Sequence, residues 1–213
     1  MRFGPTQRNF SPLTLLGAWL LVALPLLGFA ALGEDILERQ SFRFDNPTLL
    51  WLHTHSNATL DGAMLWFSQI GGGALLIPSA IWCLILWAQK RRRDALFVLL
   101  AMGGALALNL SAKLIFARTR PDLWLSLAPR NDYSFPSGHA MLSSAFVLTV
   151  LVMLWKSQTD IHIKRALSAL GVLFVLAVGL SRLYLGVHFP SDILAGWMAS
   201  LAWITLLSLL LKE

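Results

Sequence analysis

The chain has 213 residues, 56% of them hydrophobic and only 13% charged, with a net charge of +6. A water-soluble domain of this length needs far more charge to cover its surface, so the composition points to a polytopic helical membrane protein. The basic residues sit in short clusters between apolar runs rather than along one face, which argues against a nucleic-acid partner and for topology signals plus an anion site.

Residues 1–12 read as a short tail carrying Arg2 and Arg8. Leu13 to Leu32 forms the first predicted span. Ala30-Ala31 resembles a cleavage region, but the apolar run outlasts a signal-peptide core of about 7–15 residues, so a retained helix is expected. Residues 33–60 mix Glu34, Asp35, Glu38, Arg39 and Arg43 with Phe42, Phe44, Leu49, Leu50 and Trp51, the pattern of short amphipathic helices at an interface. The second span runs from Asp61 to Ala88 through Gly71-Gly72-Gly73, which loosens it or allows close helix contact. It ends in Lys90-Arg91-Arg92-Arg93. The third covers Asp94 to Phe116, and an irregular loop follows over 117–135. The fourth covers 136–155, the fifth 165–185 and the sixth 190–211. Cys83, the single cysteine, falls mid-span and reads as a small buried apolar residue.

The expected fold is therefore all-α: six transmembrane helices in one bundle, short interfacial helices, and a single domain over 1–213. Six spans put both termini on one side. Arg2, Arg8, Lys90–Arg93, Lys156, Lys164, Arg165 and Lys212 fall on that side, ten of the 17 basic residues. The positive-inside rule makes it the cytoplasm. Lys113, Arg118, Arg120, Arg130 and Arg182 lie toward the other side, against that bias, and phosphate binding is the reason offered.

Lys113 and Arg120 are seven residues apart, about two helical turns, so they are expected on one helix face that Pro121 then ends. Two cations there suit a doubly charged phosphate. Pro136-Ser137-Gly138-His139 opens the fourth span. Ser137 reads as an N-cap, Gly138 lets the backbone approach a ligand, and the free N–H groups favour an anion within reach of His139. Ser181-Arg182 ends the fifth span, while His188 and Asp192 flank the start of the sixth. They are i and i+4, so the carboxylate can hold one ring nitrogen and leave the other free to attack. An ionisable pair at a membrane boundary reads as functional.

Together these stretches resemble the three-part signature of the phosphatidic acid phosphatase type 2 superfamily: K-x6-R-P, P-S-G-H and S-R-x5-H-x3-D. The sequence carries it without substitution across residues 113–192. The resemblance implies that His188 is the nucleophile forming a phosphohistidine and that Asp192 orients it. His139 would protonate the leaving oxygen and then activate water. Lys113, Arg120 and Arg182 would bind the phosphoryl oxygens, with Ser137 and the Gly138 backbone completing the cradle. Three cations would stand where a metal otherwise would. No His, Cys and Asp cluster has metal-ligand spacing, so no metal or other cofactor is expected.

The reading is a membrane phosphatase acting on a lipid phosphate or diphosphate at the outer face of a bacterial-type cytoplasmic membrane. Undecaprenyl diphosphate comes first, then phosphatidylglycerol phosphate and phosphatidic acid. The 14 residues between Pro121 and Pro136 leave no room for a headgroup-selecting domain, which hints at broad tolerance. A lipid phosphotransferase would share the site; a non-catalytic anion transporter or scaffold ranks last. Six apolar spans argue against the activity of the family's soluble vanadate-dependent peroxidases. His53, His55 and His162 read as surface residues. Arg118, Asp122, Arg130, Asp132 and Tyr133 sit near the motifs without an assigned part. Oligomeric state is not legible.

Overall fold

The computed structural model describes residues 12–38 and 42–211; the predicted roles of Arg2, Arg8, Arg39 and Lys212 lie outside them. These residues form eight α-helices and no strand: α1 (Pro12–Leu37), α2 (Asp45–Thr54), α3 (Ala58–Gly71), α4 (Leu76–Ala88), α5 (Arg92–Phe116), α6 (Gly138–Lys156), α7 (Ile161–Tyr184) and α8 (Pro190–Leu210). Helices are what such a sequence must form in hydrocarbon, where every backbone polar group has to be satisfied within its own segment. At 1.5 Å per residue, the 25 residues of α5 span about 37 Å, enough to cross a bilayer.

Five helices are individually long and apolar enough to cross a membrane, and α3 with α4 makes a sixth as a broken span. The second predicted span is thus not one continuous helix. It bends by 42° at a short 3-10 turn over Gly73–Leu75. Consecutive glycines at 71–73 weaken the helix there, and Pro78 in the first turn of α4 has no N–H to donate back across the break. The first span also runs five residues further than expected, to Leu37, so between α1 and α3 only α2 stands as a separate short helix.

The helices pack around α8, which lies against α1, α5 and α6, while α6 also meets α5 and α7 and α3 leans on α7. Phe97, Ala101, Met102 and Ala105 of α5 meet Met141, Leu142 and Ala145 of α6 and Ile204 and Leu207 of α8 in the main core. Alternating small and large residues let these helices approach closely, the mode of packing that works where lipid is as apolar as leucine. Large apolar side chains face outward along α1, α4 and α7, among them Leu24, Leu27, Ile77, Leu84, Leu170 and Leu173. In water such a surface would aggregate; against acyl chains it is the matching face.

The α5, α6 and α7 helices each have a basic cluster at one end and a motif residue at the other. Arg92 and Arg93 oppose Lys113, Lys156 opposes His139, and Lys164 and Arg165 oppose Arg182. All three motifs are thereby carried to one end of the bundle.

Candidate active site

The last turn of α5 presents Lys113, and the helix closes immediately after Phe116. Ala117 adopts the left-handed conformation (φ 43°, ψ 34°) and returns its N–H to the Lys113 carbonyl. Arg120 is therefore not on a helix face with Lys113, as the seven-residue spacing predicted; it belongs to the loop that follows. The two cations still converge, because the loop folds back and brings Asp132 between them. Lys113 Nζ donates to Asp132 Oδ2 at 2.5 Å and to the Tyr133 carbonyl, while Arg120 Nη2 donates to Asp132 Oδ1 at 2.7 Å. Burial alone would raise the Asp132 pKa, but the hydrogen bonds and charges of Lys113 and Arg120 outweigh it and hold the carboxyl well below the usual range.

Arg120 continues into the motif before α8. Its Nη1 donates to the Val187 carbonyl at 2.5 Å and lies 3.0 Å from His188 Nε2. A guanidinium can only donate, so Nε2 accepts and the ring proton belongs on Nδ1. Nδ1 lies 3.3 Å from Asp192 Oδ2, which also accepts the Phe189 N–H at 2.9 Å. Asp192 sits at the third position of α8, with Pro190 at its start, so the carboxylate caps the helix while it holds the ring. His188 and Asp192 are both buried. Burial first, then the charges of Arg120, Arg182 and Lys113, push the His188 pKa well below 6.5, so the ring is neutral at pH 7 with its lone pair on Nε2.

At the start of α6, Ser137 is the N-cap and accepts from the Ala140 N–H, and its own N–H donates to the Asp192 carbonyl at 3.1 Å. Asn109 of α5 fixes the preceding turn through Pro136 O at 3.0 Å, and a Cβ on Gly138 would come within 3.0 Å of Asn109 Oδ1. His139, in the first turn, faces the break between α3 and α4. A Cβ on Gly72 would lie 2.5 Å from His139 Nε2, so only glycine leaves that ring its place. A cavity of about 560 Å³ opens beside it, lined by His139, Ser68, Gln69, Arg130 and Leu127.

Arg182 of α7 is fully buried, and Nη1 donates to Ser68 Oγ. Its Nε and Nη2, equally buried, have no hydrogen-bond acceptor among the described residues. An unpaired guanidinium in the interior is costly unless something anionic comes to it. The chain thus holds Lys113, Arg120, His188 and Asp192 in one connected network through Asp132; Arg182 bonds to Ser68, and Ser68 and His139 line the same cavity. Arg182 and His139 both lie within electrostatic range of His188. Among the described residues, no three His, Cys, Asp or Glu side chains gather in a metal-holding arrangement.

Other participants carried no motif. Asp132 and Arg130 were visible only as charges near the motifs, and Ser68 and Asp45 gave no signal. Arg118, inside the K-x6-R-P stretch, turns inward: Nη1 donates to Asp192 Oδ1 at 2.6 Å and Nη2 to Asp45 Oδ2 at 2.8 Å. His53 and His55 lie apart: His53 stacks on Trp124, and His55 packs at a tilt against Trp51.

Comparison with known proteins gives the family. The family model described as the PAP2 superfamily matches residues 94–213. The chain belongs to the PAP2 superfamily. An undecaprenyl-diphosphatase from Sulfolobus acidocaldarius is 29% identical to this PAP2 chain, covering 92% of it and 91% of the relative. A phosphatidylglycerophosphatase B from Bacillus subtilis is 33% identical over 67% of the chain and 70% of that protein. The crystal structure of a transmembrane PAP2-type phosphatidylglycerolphosphate phosphatase from Bacillus subtilis superposes with a TM-score of 0.78 at 25% identity, covering 88% of this chain and 94% of that one.

Proposed function

We propose that this PAP2 protein is a membrane phosphatase that hydrolyses a lipid phosphate or diphosphate through a phosphohistidine. His188 Nε2 attacks phosphorus in line, forming the N–P bond as the P–O bond to the lipid breaks. His139 donates its proton to the departing oxygen. Water, deprotonated by His139, then attacks the phosphohistidine, and inorganic phosphate leaves. Arg182, Lys113, Arg120 and the N–H groups at the start of α6 carry the charge on the three phosphoryl oxygens. The observation that carries this reading is Arg182, whose Nε and Nη2 lie in the interior without a partner among the described residues while Nη1 donates to Ser68.

Undecaprenyl diphosphate is the first substrate choice, with phosphatidylglycerol phosphate and phosphatidic acid next. Names of relatives support both kinds of lipid. Arg130 adds weight to a diphosphate: it lines the cavity with His139, on the side where the leaving group departs, so a leaving phosphate would meet a cation. The site faces outward, opposite the basic clusters, and a reporter fused after Glu213 tests that; a C-terminus outside the membrane would overturn it.

The deciding experiment is phosphate release by detergent-purified protein, with chelator present, from each of the three lipids, with His188→Ala as control. Release that survives chelation and vanishes in the variant is expected. No release from any of the three would overturn the hydrolase reading.

A further inference from the structure

Arg118 takes no part in the phosphate cradle described above, yet among the described residues it makes ion pairs to two carboxylates, where Lys113 and Arg120 each pair with one. Its Nη1 donates to Asp192 Oδ1 at 2.6 Å and to Ser191 Oγ at 2.8 Å; its Nη2 donates to Asp45 Oδ2 at 2.8 Å. The carboxylate of Asp45, buried at the start of α2, also accepts the Ser191 N–H at 3.0 Å and the Ser191 hydroxyl at 2.7 Å. The guanidinium lies 4.2 Å from the ring centre of Phe189 and 5.7 Å from that of Phe42. Phe189 and Ser191 flank Pro190, so the same short segment that carries His188 and Asp192 is gripped on both sides of the turn.

Resting on the phosphatase reading, we infer that Arg118 and Asp45 are positioning residues. They hold Asp192 as a carboxylate in one orientation, and through it hold His188 in the tautomer that presents an unprotonated Nε2. The charges leave few alternatives. Asp192 is fully buried, and a buried carboxylate stays ionised only with a counter-charge in contact. Lys113 and Arg120 make their ion pairs with Asp132. Among the described residues, Arg118 makes the direct ion pair to Asp192 from a permanently charged group. It takes one carboxylate oxygen, Oδ1, and leaves Oδ2 for the His188 ring and the Phe189 N–H. Asp45 then fixes Arg118: its two oxygens are shared between the guanidinium and Ser191, so Nη1 cannot swing away from Asp192 without breaking contacts on α2. The chain Asp45–Arg118–Asp192–His188 thus runs from α2 to the nucleophile. Truncating Arg118 would leave Asp192 an unpaired buried charge that takes up a proton or turns away, and Nδ1 would lose its fixed acceptor. A share of His188 would then carry its proton on Nε2, where no lone pair faces phosphorus.

The test uses the full chain in detergent, labelled with 15N-histidine, with His188→Gln assigning the signal. Wild type is expected to show His188 as the Nδ1–H tautomer. Arg118→Met is expected to shift it toward Nε2–H and to lower kcat roughly 10- to 100-fold, the usual effect of losing an outer partner, with KM changed less than about 3-fold. Arg118→Lys should recover most of the tautomer and of kcat. Asp45→Asn keeps the shape of the carboxylate and should show the same shift at smaller size, which keeps the inference testable should Arg118→Met fail to fold. An unchanged tautomer in both Asp45→Asn and a folded Arg118 variant, or a loss shared equally between kcat and KM that Arg118→Lys does not relieve, would overturn it. Wild type that releases phosphate from no lipid would instead sink the phosphatase reading, and the tautomer comparison would still judge Arg118.

Discussion

Replacing Arg182 with methionine should make the protein more stable and nearly inactive. Methionine fills much of the same space without a charge. The substitution relieves two buried nitrogens that lack acceptors, Nε and Nη2, worth about 1–3 kcal/mol each. It forfeits the charged hydrogen bond to Ser68, worth about 1.5–3 kcal/mol. The difference favours the variant by about 1–2 kcal/mol, or an upward Tm shift of a few degrees for a chain of this length. An anion reverses the order. Orthovanadate at 100 times its Kd adds about 2.7 kcal/mol to a protein that binds it, and wild type should gain this while Arg182→Met gains little. Phosphate release should fall on the order of 10²- to 10³-fold, as when one oxyanion donor is removed. Thermal melts of both proteins in detergent, with and without vanadate, read all of this but the rate. A variant that melts below wild type without anion, and gains as much from vanadate, would refute the assignment of Arg182 as an anion ligand held ready in the interior.

Gly72→Ala places a methyl group where the His139 ring lies, so kcat should drop about 10²-fold or more, the contribution of a general acid, while vanadate stabilisation is kept; steady-state kinetics beside a melt would check this. Arg130→Gln should lower kcat/KM for a lipid diphosphate about tenfold more than for a lipid monophosphate, and an equal loss on both would count against a leaving-phosphate contact. The depressed pKa of His188 has a defined sign for stability: the unfolded ring takes up a proton near pH 6.5, while the folded ring resists until well below. Stability is therefore full above pH 6.5 and falls as pH drops below it, by up to about 1.4 kcal/mol per pH unit. The slope of Tm against pH should flatten in His188→Gln.

Most of the bundle was readable from apolar run length, because in a membrane hydrophobicity and helix formation are the same requirement. The three glycines at 71–73 announced a weak point but not a 42° bend, nor that the His139 ring would lie against Gly72 at the break. The motifs named Lys113, His139, Arg182, His188 and Asp192, and the helix ends that carry them lie at one end of the bundle. Periodicity misplaced Arg120 because it assumed that α5 continued, whereas the left-handed Ala117 ended it one turn before Pro121. Asp45 and Ser68 were out of reach: one lies 146 residues from its partner and the other 114, and no local pattern encodes such a pairing. Asp132 and Arg118 were visible as charges, but their signs alone do not say that one bridges two cations and the other two carboxylates.

The Asp132 bridge changes what arrival at this site means. A phosphate that reaches Lys113 and Arg120 does not fall into an open electrostatic well; it displaces an anion that the protein already supplies. Each encounter is then an exchange of counter-ions, and the affinity for any one phosphate is the difference between two similar attractions. A lipid headgroup gains less from simply resting there, and the inorganic phosphate left after hydrolysis meets a competitor tethered in place to push it out. Weak holding of both reactant and product leaves the strong interactions for the moment of transfer, when the phosphoryl charge is spread and the Asp132 carboxylate is no match for it. On the proposed phosphatase reading, the loop that carries Asp132 would serve release, with one carboxylate 12 residues along the chain from Arg120.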